Sequence, residues 1–161
     1  MDPTEGPSVP FRLVPVDGGN RAAVLALQVK PDQVQLVAPN SKSLRQASQD
    51  AALVPLAFLA GEEVVGFAMY QRRKDGSAYI WRVMIGDARQ GQGLGRKLME
   101  LLMGELRGAG FRELIISHRP QNRVAAQLFE SFGFFEEDFE ADGEVIRRLH
   151  VQAEPAPINQ G

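Results

Sequence analysis

The spacing of apolar residues changes several times along this chain, from every second position to every third or fourth, and each change marks an element boundary. Phe11-Arg12-Leu13-Val14-Pro15-Val16 predicts a strand with a proline near its end. Asn20 has the chemistry of an N-cap for a helix running from Ala22 to Leu27, and Lys30-Pro31 ends it. Ser43-x-x-Gln46 has capping-box form and predicts a second helix from Leu44 to about Ala52. Val54 to Ala60 and Val64 to Arg72 are strand-like runs joined by Gly61-Glu62, and Asp75-Gly76 is a hairpin turn into a third run, Ala78 to Ile85, so a three-strand antiparallel meander is expected. Leu94, Leu98, Leu101, Leu102 and Leu106 then form one stripe of a helix from Gly93 to Arg107, with Gly108 and Gly110 as stop signals. A short buried strand, Glu113 to Ser117, precedes a helix opened by Pro120 and Asn122, whose apolar face is Ala125, Leu128, Phe129 and Phe132, and which Gly133 ends. Phe134 to Phe139 and Val145 to Val151 close the order as a strand pair, giving an α/β chain without internal repeats.

Composition narrows the class. The chain has 161 residues, 44% hydrophobic and 24% charged, which suits one domain with its own core. That domain is placed at 11–151. Residues 1–10, with three prolines, and 152–161 read as disordered tails. A net charge of -2 argues against a general nucleic-acid binder. There is no cysteine and there are two histidines, so no disulfide, thiolate metal site or histidine cluster is expected. The first ten residues lack signal-peptide pattern, and no apolar run approaches the ~20 residues that a spanning helix needs, so the expectation is a soluble, cytoplasmic protein without membrane contact.

The most distinctive stretch is Arg89-Gln90-Gly91-Gln92-Gly93-Leu94-Gly95, between a predicted strand and a predicted helix. Glycines at alternate positions allow backbone angles that a side chain would forbid and let main-chain N–H groups approach an outside group. A helix N-terminus stabilises an anion by about 0.3–1 kcal/mol. Arg89 and Arg96 bracket the loop with positive charge. A phosphate cradle and a plain strand-to-helix turn both fit these residues. Gly95-Arg96-Lys97 is not a Walker sequence, and G-x-G-x-G is not a dinucleotide fingerprint.

Gln90-x-x-Gly93-x-Gly95 resembles the acyl-coenzyme A pyrophosphate loop of the GNAT superfamily of N-acetyltransferases. Asn122-x-x-Ala125-x-x-Leu128-Phe129-x-x-x-Gly133-Phe134 is similar to a second motif of that superfamily. The resemblance covers residues 11–151. It implies a mixed, mostly antiparallel sheet flanked by helices and splayed between its fourth and fifth strands, with acetyl-coenzyme A as acyl donor. It further implies that the pantetheine arm pairs with the backbone of Val83, Met84 and Ile85, that Arg89, Gln90, Gly91, Gln92, Gly93, Leu94, Gly95 and Arg96 hold the pyrophosphate, and that Asn122 and Phe129 border the arm. Homodimers are common in the family, and a homodimer is an expectation here.

The proton path and the acceptor are read less directly. An amine with pKa near 10.4 is neutral in about one molecule in 10³ at pH 7, so a proton must be removed before attack. Where the family often has a tyrosine acid this chain has Phe129, which carries no proton. His118 is a candidate for proton transfer or a structural strand-end residue, and Tyr79 an acid or a packing residue. Val37-Ala38-Pro39-Asn40 with Ser43-Leu44, Tyr79 to Ile85, and Asp142-Gly143-Glu144 resemble the bacterial diamine and spermine/spermidine acetyltransferase branch, with Gly86 where an aspartate is expected. A small polyamine-like amine is therefore the expected acceptor, with Trp81 and the acidic run Glu136, Glu137, Asp138, Glu140, Asp142 and Glu144, Glu136 and Glu137 above all, as candidate contacts or, alternatively, a core residue and a solvated hairpin. Acetylation of an amino acid, an antibiotic or a protein N-terminus, and non-catalytic acyl-coenzyme A binding, are the alternatives.

Overall fold

A computed structural model describes residues 9–31, 39–139 and 142–151. Most of the two predicted tails, residues Val37 and Ala38 of the branch motif, and Glu140 of the acidic run lie outside the described residues. The elements are β1 (Phe11–Pro15), α1 (Arg21–Ala26), α2 (Asn40–Gln49), β2 (Leu53–Ala60), β3 (Glu63–Arg72), β4 (Ala78–Ile85), α3 (Leu94–Gly108), β5 (Glu113–His118), α4 (Arg123–Ser131), β6 (Phe135–Phe139) and β7 (Val145–His150). They follow the predicted order. Among the described residues no helix is long and apolar enough to cross a membrane.

The strands form one seven-stranded sheet in the order β1-β2-β3-β4-β5-β7-β6. Every pairing is antiparallel except β4 with β5. The mostly antiparallel mixed sheet that the resemblance implied is thus present. Helices cover both faces. Leu94, Leu98, Met99, Leu102 and Leu106 of α3 and Phe129 of α4 join Leu56, Phe58, Ala68, Ile80 and Leu114 in one core. Val24 of α1 and Leu44 of α2 pack with Ala57, Phe67, Met69 and Met84 in the other. Alternating strand residues feed the two cores, as the two-residue repeat of a strand requires.

The predicted capping box is not used. α2 begins at Asn40, three residues before Ser43, and the N–H groups of Lys42 and Ser43 donate to Pro39 O. Ser43 is therefore inside the helix, fully buried, and its hydroxyl accepts from Arg82 Nε at 3.0 Å. Asn20 does stand at the N-cap of α1, but its side chain turns back, accepting from Asp17 N at 2.9 Å and donating to Pro15 O at 3.0 Å.

Strand β4 positions everything that follows. Its register on β3 shifts between Met69 and Tyr70, which pair with Arg82 and Ile80, so Trp81 is the extra residue of a bulge. Before it, Ala78 and Ile80 face the α3/α4 core; after it, Val83 and Ile85 do, while Trp81 and Met84 pack on the α1/α2 side. β3 can lie close to β4 here because Gly66 has no side chain. A Cβ at Gly66 would stand 2.7 Å from Met84 O and 3.0 Å from side-chain atoms of Ile85 and Phe58. Gly66→Ala should therefore lower stability by about 1–3 kcal/mol, read from urea unfolding, because the obstructing Met84 oxygen is backbone and cannot swing aside.

Candidate functional site

β4 and β5 pair only over Ala78–Leu114, Tyr79–Ile115 and Ile80–Ile116. Beyond Ile80 the two strands part, because the Trp81 bulge turns β4 while β5 continues straight to its pairing with β7. The backbone of residues 82–85 keeps β3 on one edge and, among the described residues, has no strand on the other. This opening is the sheet splay expected between the fourth and fifth strands.

A cleft of about 440 Å³ occupies it. Val83, Met84 and Ile85 line one wall, the loop residues Arg89, Gln90, Gly91, Gly93, Leu94 and Gly95 one end, and Asn122, Ala125, Leu128 and Phe129 of α4 the other wall. The structure thus brings together residues that the sequence placed on three separate elements. It adds Val29, Gln121, Arg123 and Val124. Val124 could have been found: it is an aliphatic residue off the apolar stripe of its helix, and it stands 75% exposed at the cleft. Val29 carries no such signal.

The loop is built as an anion cradle. Gly91 and Gly93 have φ of 80° and 75°, a region that L side chains rarely adopt. A Cβ on either would meet no atom within 4 Å, so these glycines hold the loop's shape and leave its surface bare. No side chain caps α3, whose first N–H groups therefore point out of the helix without an intrahelical acceptor. Gln90 Nε2 donates to Ile85 O at 2.9 Å and so ties the loop to the end of β4. Arg89 pairs with Glu63, and its Nε donates to Gln92 Oε1 at 3.1 Å. Arg96 donates to Ser131 Oγ at 2.7 Å and its guanidinium lies 4.9 Å from the Phe132 ring centre. Gln92 and Arg96 are not among the lining residues.

On the opposite wall Asn122 caps α4, its Oδ1 accepting from Ala125 N at 3.1 Å. Phe129 is buried against His118 and Phe134, with ring centres 6.0 and 6.2 Å apart. Its ring gives that end of the cleft an apolar surface without a proton to exchange. His118 is 6% exposed with both ring nitrogens engaged: Nδ1 at 2.8 Å from Arg119 O and Nε2 accepting from Arg147 Nε at 2.9 Å. In that tautomer neither nitrogen is open to a reacting group. Tyr79 is buried under Arg73, whose guanidinium carbon stands 4.4 Å from the ring centre.

These features decide the family. A model of the acetyltransferase (GNAT) family matches residues 21–134, which span the cradle, both cleft walls and the helices between them. The chain belongs to the GNAT family. It is an acetyl-coenzyme A dependent N-acetyltransferase. Among curated relatives, the spermine/spermidine N(1)-acetyltransferase of Bacillus subtilis (strain 168) is 29% identical over 140 residues, covering 81% of this chain and 92% of that protein. The [ribosomal protein bS18]-alanine N-acetyltransferase of Escherichia coli (strain K12) is 35% identical over 86 residues, 47% of this chain and 58% of that one. Of solved structures, the ribosomal-protein-S18-alanine N-acetyltransferase from Escherichia coli has a TM-score of 0.69 at 23% identity over 94% of this chain and 99% of that chain. An aminoglycoside acetyltransferase in complex with coenzyme A has a TM-score of 0.75 at 17% identity over 89% and 96%.

The acidic run does not reach the cleft. β7 inserts between β5 and β6, so β6 is the outermost strand. There Glu136 lies 3.9 Å from Arg147 and Glu137 pairs with Arg148. Neighbouring arginines on β7 pair with these carboxylates within the hairpin, and neither Glu136 nor Glu137 lines the cleft. Trp81 packs in the α1/α2 core beside Arg82, whose guanidinium carbon is 5.8 Å from the ring centre. Arg82 also donates to Trp81 O at 2.7 Å. Burial pulls the Arg82 guanidinium below its ordinary range, while its electrostatic neighbours Glu144 and Tyr79 push the other way.

For the family's donor the fit is direct, since bare N–H groups suit a pyrophosphate and an unpaired strand edge suits the amides of an extended arm. Gly93→Asp would place a side chain at φ 75° and a negative charge within the cradle. Calorimetry should show at least a ~100-fold loss of acetyl-coenzyme A affinity, from like-charge repulsion and backbone strain together.

Proposed function

We propose that this acetyltransferase acts on a small, polyamine-like primary amine. The observation that carries the reading is the similarity to the Bacillus subtilis spermine/spermidine enzyme, which extends over most of both chains rather than the donor half alone. The acceptor would enter on the α1/α2 side of the splay, past Trp81 and Arg82, where Glu144 of the β6–β7 turn supplies a carboxylate near Arg82. A protein α-amine is the second reading, favoured by the similarity to ribosomal-protein alanine acetyltransferases in both sequence and fold.

The residues divide the work as follows. Gly91, Gly93, Leu94 and Gly95 would hold the pyrophosphate on main-chain N–H groups, with Gln90 and Arg89 beside them. Val83 to Ile85 offer the free edge of β4 to the pantetheine amides, and Asn122, Leu128 and Phe129 close the other side. The bound donor supplies an acetyl thioester, and the walls orient it toward the opening, which turns a bimolecular encounter into a positioned one. Phe129 cannot donate a proton, and His118 has both nitrogens committed. Proton exchange with the amine and the leaving sulfur is therefore assigned to water, with the apolar Phe129 wall limiting where that water stands.

Incubation with acetyl-coenzyme A and a panel of spermidine, spermine, a simple monoamine, an aminoglycoside and an alanine-ended peptide, with thiol release followed, tests the reading. The expected order puts spermidine or spermine at least ~10-fold above the monoamine in kcat/KM, since a second ammonium gains an electrostatic contact. Turnover of the peptide alone would replace the polyamine reading with the second one.

A further inference from the structure

Behind the Phe129 wall lies a buried polar group that the cleft itself does not use. Arg147 of β7 is 4% exposed, a rare setting for a guanidinium unless it is paired. Its Nε donates to His118 Nε2 at 2.9 Å, one terminal nitrogen to Phe134 O at 3.5 Å, and the other to Glu130 Oε1 at 3.1 Å. The same nitrogen lies 3.9 Å from Glu136. One side chain thus joins the end of β5, the last turns of α4, the link out of α4 and the outer strand β6.

The placement is specific to one wall of the cleft. Glu130 follows Phe129 on α4, and His118, held from the other side by Arg119 O, packs its ring on Phe129. None of these partners touches the Gln90–Gly95 cradle, which is tied instead to β4 through Gln90 and to Glu63 through Arg89. The cradle therefore has anchors of its own, and its link to α4, from Arg96 to Ser131, does not pass through Arg147.

We propose that Arg147, with His118 as its neutral hydrogen-bond acceptor and Glu130 as its counter-charge, is a positioning residue that holds the Phe129 wall of α4 in register for acetyl transfer. The role needs a buried cation whose donors sit on three nitrogens of one fixed plane, which the guanidinium fork supplies and the single nitrogen of an ammonium does not. It also gives His118 a function other than proton transfer: its Nε2 lone pair is the only acceptor that meets Arg147 Nε among the described residues. The inference rests on the acetyltransferase activity and not on which amine accepts the acetyl group.

The test compares Arg147→Met, His118→Leu and His118→Gln in the full chain. H118Q offers Arg147 an amide oxygen where the imidazole Nε2 stood; H118L offers nothing. For R147M and H118L, kcat with the wild type's best amine should fall by at least ~10-fold, since displacements of an ångström at the reacting end cost up to about 10² in rate. The Kd for coenzyme A should stay within about threefold, because the cradle has its own anchors. H118Q should recover kcat to within about threefold of wild type, which a histidine acting as acid or base would not allow. Hydrogen exchange supplies a readout independent of any acceptor: amides of α4 should lose protection in R147M and H118L while those of α3 keep it. Wild-type kcat in folded R147M and H118L, an H118Q as impaired as H118L, or unchanged α4 protection would each overturn the proposal. Failure of every amine in the panel would count against both acceptor readings, and α4 exchange would still decide the brace.

Discussion

The parting of β4 from β5 after Ile80 and Ile116 is the constraint on which the site depends. A sheet that stayed paired would bury the polar edge of residues 81–85 in strand hydrogen bonds and leave no room between the walls. The bulge at Trp81 prevents this by inserting one residue on β4 that β3 does not match. The close β3–β4 approach at Gly66 then keeps the diverging strand attached on its other edge. A continuous sheet thus opens in the middle without losing the cores on its two faces.

Opening the sheet exposes polar backbone, and the ends of two helices are arranged around it. α3 starts at the glycine cradle and α4 starts at its Asn122 cap, so two positive helix ends face one cleft. Arg96 is drawn aside to Ser131 and Phe132, and Arg89, which lines the cleft, is paired with Glu63, so main-chain groups make up much of the cradle's donor set. Recognition by backbone suits a ligand portion that is the same in every turnover. The proposed function leaves the variable partner to the α1/α2 side, where Trp81 and Arg82 stand.

Much of this was legible in the sequence, because it is local. The two-residue and three-to-four-residue spacings placed the strands and helices. Turn and cap chemistry at Gly93, Gly95, Asn122 and Gly133 placed the loop and the facing helix, and the family resemblance of these residues implied that the loop is a cradle. The rest depended on contacts between distant segments. Ser43 had the form of a cap, yet it lies inside α2 because its hydroxyl serves Arg82, thirty-nine residues away. The acidic run suggested a cation site, but insertion of β7 beside β5 set Arg147 and Arg148 against Glu136 and Glu137. His118 showed proton chemistry in its residue type alone, and only its partners show both nitrogens taken. Strand order and ion-pair partners carry no local signature, so the capping box was misplaced and the other two readings stayed open for one physical reason.

A donor lying in the splay would cover the free edge of β4 and the glycine cradle. Hydrogen exchange of the protein with and without coenzyme A reads this out. Slowed exchange is expected at the amides of residues 83–85 and 91–96 and at the start of α4, with the β6–β7 hairpin unchanged. Protection confined to another surface, with the cradle and residues 83–85 exchanging as before, would contradict this placement of the donor.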